Sequence, residues 1–172
     1  GLQRICDSVT EYVRTRQGET SFELNVRPEA RALRLFKNLT FKAWYALGEF
    51  IDNSITSAVL NRNELKRLAD DDYVLRVEID FDTSSNSLTI NDNAAGIAMA
   101  DLSRALRTSE PPPDTSKGLS LHGVGLKAAG FWWGEKITIE THPINEDCGW
   151  SVELDLSRFD DEANDVVKVD RI

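Results

Sequence analysis

Three short segments of this chain carry residue types whose spacing could do chemistry. The first is Gly48-Glu49-Phe50-Ile51-Asp52-Asn53-Ser54. Glu49 and Asn53 stand four apart, so on a helix both project from one face. A carboxylate beside an amide oxygen can orient a water and hold an oxygen-loving cation such as Mg2+. Taken alone, the pair suits a solvated helix face just as well. The second segment is Ile90-Asn91-Asp92-Asn93-Ala94-Ala95-Gly96-Ile97, at the end of a strand. Asp92 could accept a hydrogen bond from a ligand, and the small residues after it would let that ligand approach the backbone closely. The bland reading is a polar strand-to-helix turn, with Asp92 or Asn93 capping the next helix.

The third segment is Gly118-Leu119-Ser120-Leu121-His122-Gly123-Val124-Gly125-Leu126-Lys127. Glycines leading into a helix leave backbone N–H groups pointing one way, with the positive end of the helix dipole behind them. That is a phosphate cradle. Lys127 could add a point charge to it, or could be a plain exposed helix residue. His122 reads better as a loop contact than as a catalytic base. Two familiar phosphate motifs fail here. Val124 stands where the Walker-A spacing of Gly118 and Gly123 requires Lys, and Ala128 takes the place of the third glycine of the dinucleotide fingerprint.

The elements that must position these residues follow from hydrophobic periodicity. Leu2, Ile5, Val9 and Tyr12/Val13 recur at helical spacing, and Phe22, Leu24 and Val26 alternate as in a strand. Pro28 suits the start of a helix over Glu29–Lys37. Residues 38–67 read as a longer helix with a possible kink. Leu47, Ala58, Ile51, Trp44, Ile55, Val59 and Phe41 fall on one broad face of it, opposite a stripe of Glu49, Asn53, Thr56 and Leu60. Tyr73–Phe81 and Ser87–Asn91 read as two strands around the polar turn Thr83–Asn86. A short helix is expected over Ala98–Arg107, a loop over Ser109–Ser120 and a helix over Val124–Phe131. Strands are expected over Ile137–His142, Trp150–Leu156 and from Val166. Mixed strands and helices without a regular βαβ repeat imply an α+β fold, one mixed sheet with helices on one face.

At 172 residues the chain suits one domain with a real core, and its 41% hydrophobic and 28% charged content is ordinary for a globular protein. No apolar run is long enough to span a membrane, and residues 1–15 lack the apolar stretch of a signal peptide. Cys6 and Cys148 stand alone, without metal-ligand spacing, which favours a reducing compartment and argues against zinc. A net charge of −9 disfavours non-specific nucleic-acid binding by this domain alone. It does not forbid a phosphate ligand, because screening confines distant charges to about 8–10 Å in physiological salt.

Together, the three segments resemble the N box, first glycine box and second glycine box of the gyrase/Hsp90/histidine-kinase/MutL (GHKL) ATPase superfamily. The resemblance spans roughly residues 20–160, with Ala98–Leu121 as the ATP lid. It implies a two-layer α/β sandwich of the Bergerat type, with a mixed, mostly antiparallel sheet, in residues 20–172, preceded by an N-terminal helical arm at 1–19. It implies ATP and Mg2+ as cofactors. Glu49 would be the general base and Asn53 the Mg2+ ligand. Asp92 would accept from the adenine amino group, and Gly96, with Ile97 beside it, would let the base approach. The N–H groups of His122, Gly123, Val124, Gly125 and Leu126 would bind phosphate, with Lys127 alongside. Two departures stand out. Ala94 replaces the usual first glycine of the first glycine box, which would narrow or stiffen the adenine pocket. No Gly-Thr pair follows Lys127, so either Thr138 or Thr141 substitutes or the chain stops before that strand. Residues 165–172 read as a strand cut short, which favours the latter.

The Trp132-Trp133-Gly134-Glu135-Lys136 turn and the Gly125–Ala129 run look like the MORC/Hsp90 side of the superfamily. The resemblance then implies an ATPase, weak in isolation, whose lid closure drives homodimerisation within a larger machine. Nucleic acid would be reached only through other domains, in the cytoplasm, or in the nucleus of a eukaryote. The alternative is a nucleotide-sensing interaction module that binds ATP or ADP without significant hydrolysis. Phosphoryl transfer to a protein ranks last, because no phosphoacceptor His is recognisable.

Overall fold

A computed structural model of the chain describes residues 21–25, 42–106, 125–159 and 166–172. The expected N-terminal helix and arm, the helix at Glu29–Lys37 and the Ser109–Ser120 loop lie outside the described residues. The described elements are β1 (Ser21–Asn25), α1 (Ala43–Leu60), α2 (Arg62–Leu68), β2 (Val77–Asp82), β3 (Ser87–Asp92), α3 (Met99–Leu106), α4 (Gly125–Trp133), β4 (Lys136–Thr141), β5 (Trp150–Asp155) and β6 (Val166–Arg171). The fold is α+β, with antiparallel sheets and helices, as the patterning implies.

The described strands form two sheets rather than one. Four of them pair antiparallel in the order β1-β6-β5-β4, and β2 and β3 form a separate hairpin. β6, expected as the start of a strand, is a full central strand, with Phe22 opposite Val169 on one side and Val152 opposite Val169 on the other. The hairpin turn is tied by Asp82, whose carboxylate accepts from Ser84 N at 2.8 Å, Ser84 Oγ at 2.6 Å and Ser85 Oγ at 2.7 Å. Those donors hold the Asp82 carboxyl well below the usual carboxylate range. Asn86 completes the turn at φ 51°, the left-handed region that Asn tolerates.

One core joins the helices to the four-stranded sheet. Met99, Leu102 and Leu106 lie at i, i+3 and i+7 on α3, which makes a single apolar stripe. They cluster with Phe131 of α4, Val152 and Leu154 of β5, Leu156, and Val167 and Val169 of β6. Gly130 lets α4 lie close on β4, because a β-carbon there would stand 2.5 Å from Ile137 Cδ1. A smaller cluster of Ala58, Leu65 and Ala95, flanked by Tyr73, Leu75, Ala94 and Ile144, sits between α1, α2 and the segment after β3.

The long helix, read from sequence as possibly kinked, breaks at Asn61. At Asn61 both the backbone N–H and Nδ2 donate to Ser57 O, at 3.1 and 2.9 Å, and α2 restarts at Arg62. Its buried face differs from the periodicity reading. Ala46, Ser54 and Ala58 are buried on α1, whereas Trp44, Ile55 and Val59 are exposed at 60%, 37% and 66%. α1 packs along α4, while Ser54 faces Asp92 and Ala58 faces Leu65 and Ala95. Two helices approach closely only through small side chains, and the buried run on α4 includes Ala128, Ala129 and Gly130. No helix among the described residues is long and apolar enough to cross a membrane.

Candidate functional site

Two contacts bring the three segments together. Ser54 Oγ of α1 donates to Asp92 Oδ2 at the end of β3, at 2.7 Å across 38 residues of sequence, with Phe50 O as a second acceptor at 3.1 Å. This joins the first segment to the second. The Glu49 carboxylate packs directly against Gly125, the first residue of α4. A β-carbon at that position would overlap Glu49 Oε2 and lie 2.9 Å from Cδ. This joins the first segment to the third, and it sets a carboxylate at the positive end of α4. Asn53 is half-buried one turn on from Glu49.

Asp92 is exposed, and its geometry is set from two sides. Oδ2 takes the Ser54 hydroxyl, and Oδ1 accepts from Ala94 N at 2.9 Å. Tyr73 lies behind it, with its hydroxyl buried and without a hydrogen-bond partner among the described residues. Burial raises the Tyr73 pKa above its usual value, and the negative charge of Asp92 pushes the same way. Asn93 is not a helix cap. Its side chain accepts from Arg76 N at 2.7 Å and donates to Val74 O at 3.0 Å, so it clips the approach to β2 onto the turn after β3. That bond replaces the strand pairing expected over Tyr73–Arg76.

The turn after Asp92 depends on Gly96. Its φ is 72°, and a β-carbon there would stand 2.7 Å from His142 O and 3.0 Å from Pro143 Cα. Only glycine combines that dihedral with that approach. On either side, Ala95 N donates to Ser57 Oγ at 3.2 Å and Ile97 N donates to Thr141 Oγ1 at 2.7 Å. Thr141 is buried at the end of β4, whereas Thr138 is exposed, so Thr141 is the threonine that reaches this turn. Ala94 is half-buried against the smaller cluster, its N–H already held by Asp92.

Of the expected phosphate cradle, His122, Gly123 and Val124 lie outside the described residues. Gly125 and Leu126 are half-buried at the start of α4. Lys127 does not take the exposed-helix alternative. It is fully buried, at 0% exposure, rather than standing on an exposed helix face. It is the third residue of α4, and the four residues after it are buried as well, so this part of the helix turns inward. Sequence reasoning missed Ser54, Ser57 and Tyr73. Ser57 had one available signal, being four residues beyond Asn53 on the same helical stripe. Ser54 had only its poor fit to a helix interior.

A family model described as histidine kinase-, DNA gyrase B- and HSP90-like ATPase matches residues 40–171. The chain belongs to this ATPase family. A search of curated proteins finds no match to it. Family membership supports ATP binding, and the site's own chemistry fits such a ligand. Gly96 packs against the His142–Pro143 backbone and Gly125 against the Glu49 carboxylate, so both glycines mark close approaches within the protein. The exposed Asp92 carboxylate can accept from a hydrogen-bonding heterocycle, and the Glu49 carboxylate with the Asn53 amide suits a cation and a water.

Proposed function

We propose that this domain binds ATP with Mg2+ and hydrolyses it slowly. The observation that carries the reading is the convergence of Glu49, Asp92 and the α4 N-terminus through the Ser54–Asp92 bond and the Glu49–Gly125 contact. Asp92 would accept from the base's amino group, with Ser54 and Ala94 N holding the carboxylate in one orientation. Gly96 and Ile97 would line the base, with Thr141 beneath them. Asn53 would hold Mg2+, which supplies charge neutralisation on the phosphates. His122 through Leu126 would donate backbone N–H groups to phosphate, and Glu49 would take a proton from the attacking water.

In this reading lid closure favours a homodimer within a larger MORC-like or Hsp90-like machine, with nucleic acid reached only through other domains. The Trp132–Lys136 turn supports that branch by leading directly from α4 into β4. Calorimetric titration with a non-hydrolysable ATP analogue and Mg2+ tests the core of the proposal. Wild-type protein should bind, and Asp92→Asn should weaken binding at least about tenfold through loss of a charged acceptor. Absence of wild-type binding would sink the reading.

A further inference from the structure

The segment between Asp92 and α3 is held mainly by the turn that follows β4. Ile144 N donates to Ala95 O at 3.0 Å, Ile97 N to Thr141 Oγ1 at 2.7 Å, and Met99 N to Glu146 Oε1 at 2.7 Å. The last bond stands out. Ala98 O accepts from both Asp101 N and Leu102 N, which makes Ala98 the N-cap residue of α3. Alanine has no side-chain oxygen to satisfy the helix's first N–H groups. Met99 is 6% exposed, so its N–H has little access to water. Glu146 supplies the missing acceptor from 47 residues away, and its charge suits the positive helix end.

Glu146 is itself aimed. Its second oxygen accepts from Trp150 Nε1 at 2.5 Å. Trp150 packs on the main core and meets Phe22 edge to face, with ring centroids 5.8 Å apart. The carboxylate therefore ties three things: the sheet through Trp150, the first turn of α3, and, through the short Ala95–Ala98 link, the base-side turn at Gly96.

We propose that Glu146 is a positioning residue for the nucleotide site, holding the base-side turn and the root of α3 on one platform so that bound nucleotide leaves slowly. This rests on the ATP-binding reading above. Glu146 touches no nucleotide; it acts through Met99 and the turn before it. Without it, α3 loses an N-terminal anchor 47 residues distant in sequence, and the turn beside Asp92 loses one of its three ties to the 141–146 segment.

The test is stopped-flow displacement of a fluorescent ATP analogue from the full chain, with hydrogen exchange at the Met99 amide measured without nucleotide. Glu146→Ala removes a charge-assisted bond, so Met99 protection and nucleotide residence time should each fall roughly tenfold. Amides of β5 and β6 should keep their protection. Glu146→Gln retains an oxygen for Met99 but turns its amide NH2 toward Trp150 Nε1, so it should restore only part of the residence time, and it serves as the folded variant if the alanine form is unstable. Normal residence time in Glu146→Ala despite lost Met99 protection would reduce Glu146 to a structural cap and overturn the proposal. So would Met99 protection in Glu146→Ala equal to that of wild type. Wild-type protein that binds no analogue would instead remove the reading on which the proposal stands.

Discussion

Gly96→Ala separates a backbone requirement from a general dislike of mutation. At φ 72° an alanine sits in the left-handed region, which costs about 1–2 kcal/mol. Its β-carbon would also stand 2.7 Å from His142 O, and ordinary contact begins at 3.4 Å, so that carbonyl must retreat by 0.7 Å (3.4 − 2.7). His142 cannot move freely, because Thr141 before it and Ile144 after it are both bonded to the Ala95–Ile97 turn. Overpacking of this kind costs about 1–3 kcal/mol. The sum is about 2–5 kcal/mol, which lowers the Tm of a domain this size by roughly 5–15 °C. Gly48→Ala is the matched control. Gly48 lies inside α1, with nothing within 4 Å of a β-carbon, so alanine should stabilise the helix by up to about 1 kcal/mol. Urea denaturation followed by circular dichroism would measure both, and calorimetry would show Gly96→Ala weakening nucleotide binding. The reasoning fails if Gly96→Ala falls within about 0.5 kcal/mol of wild type, or if Gly48→Ala is as damaging.

Gly125→Ala should leave stability nearly unchanged, because only the flexible end of Glu49 must swing aside. Single-turnover phosphate release should nonetheless fall about 100-fold, the scale expected for a misplacement of about 1 Å. Unchanged release would mean that Glu49 does not act from this position. Ser54→Ala strips the hydroxyl donor from Asp92 Oδ2; affinity for an ATP analogue should drop about fivefold, and calorimetry showing equal affinity would contradict it. Tyr73→Phe deletes a buried hydroxyl without a partner among the described residues, so it should raise stability at neutral pH by about 1 kcal/mol. The raised Tyr73 pKa also sets a sign. Its contribution is fully present below the ordinary value of 10.0 and is lost as pH rises through the higher folded value. The difference between wild-type and Tyr73→Phe denaturation curves should therefore widen above pH 10, and parallel curves would refute it.

Much of the site was legible because it is local. A four-residue spacing sets Glu49 and Asn53 on one helical face, a strand ends at Asp92, and glycine opens α4. Each follows from the geometry of its own element, whatever packs around it. The periodicity of α1 was misleading for the same reason. It ranked faces by hydrophobicity, while packing buried Ala46, Ser54 and Ala58, with Ser54 on Asp92 and Ala58 on the smaller cluster. Alternation likewise revealed strands but not their partners, which among the described residues pair in two sheets.

By itself, the sequence determined the elements, the acidic surface and the ordered set of three motifs, all of which depend on short-range dihedral preference and spacing. Only the tertiary structure decided which hydroxyl holds Asp92, which threonine reaches Ile97 N, and what caps α3. Those partners are 38, 44 and 47 residues apart. A hydrogen bond between such groups is set by how whole elements pack, and Ser54, Thr141 and Glu146 differ in nothing local from the many serines, threonines and glutamates that face water. Burial singles out Ser54 and Thr141, and two hydrogen bonds to distant donors single out Glu146. Lys127 makes the same point from the other side: the sequence allowed an exposed helix residue, and the packing of α4 took it inside.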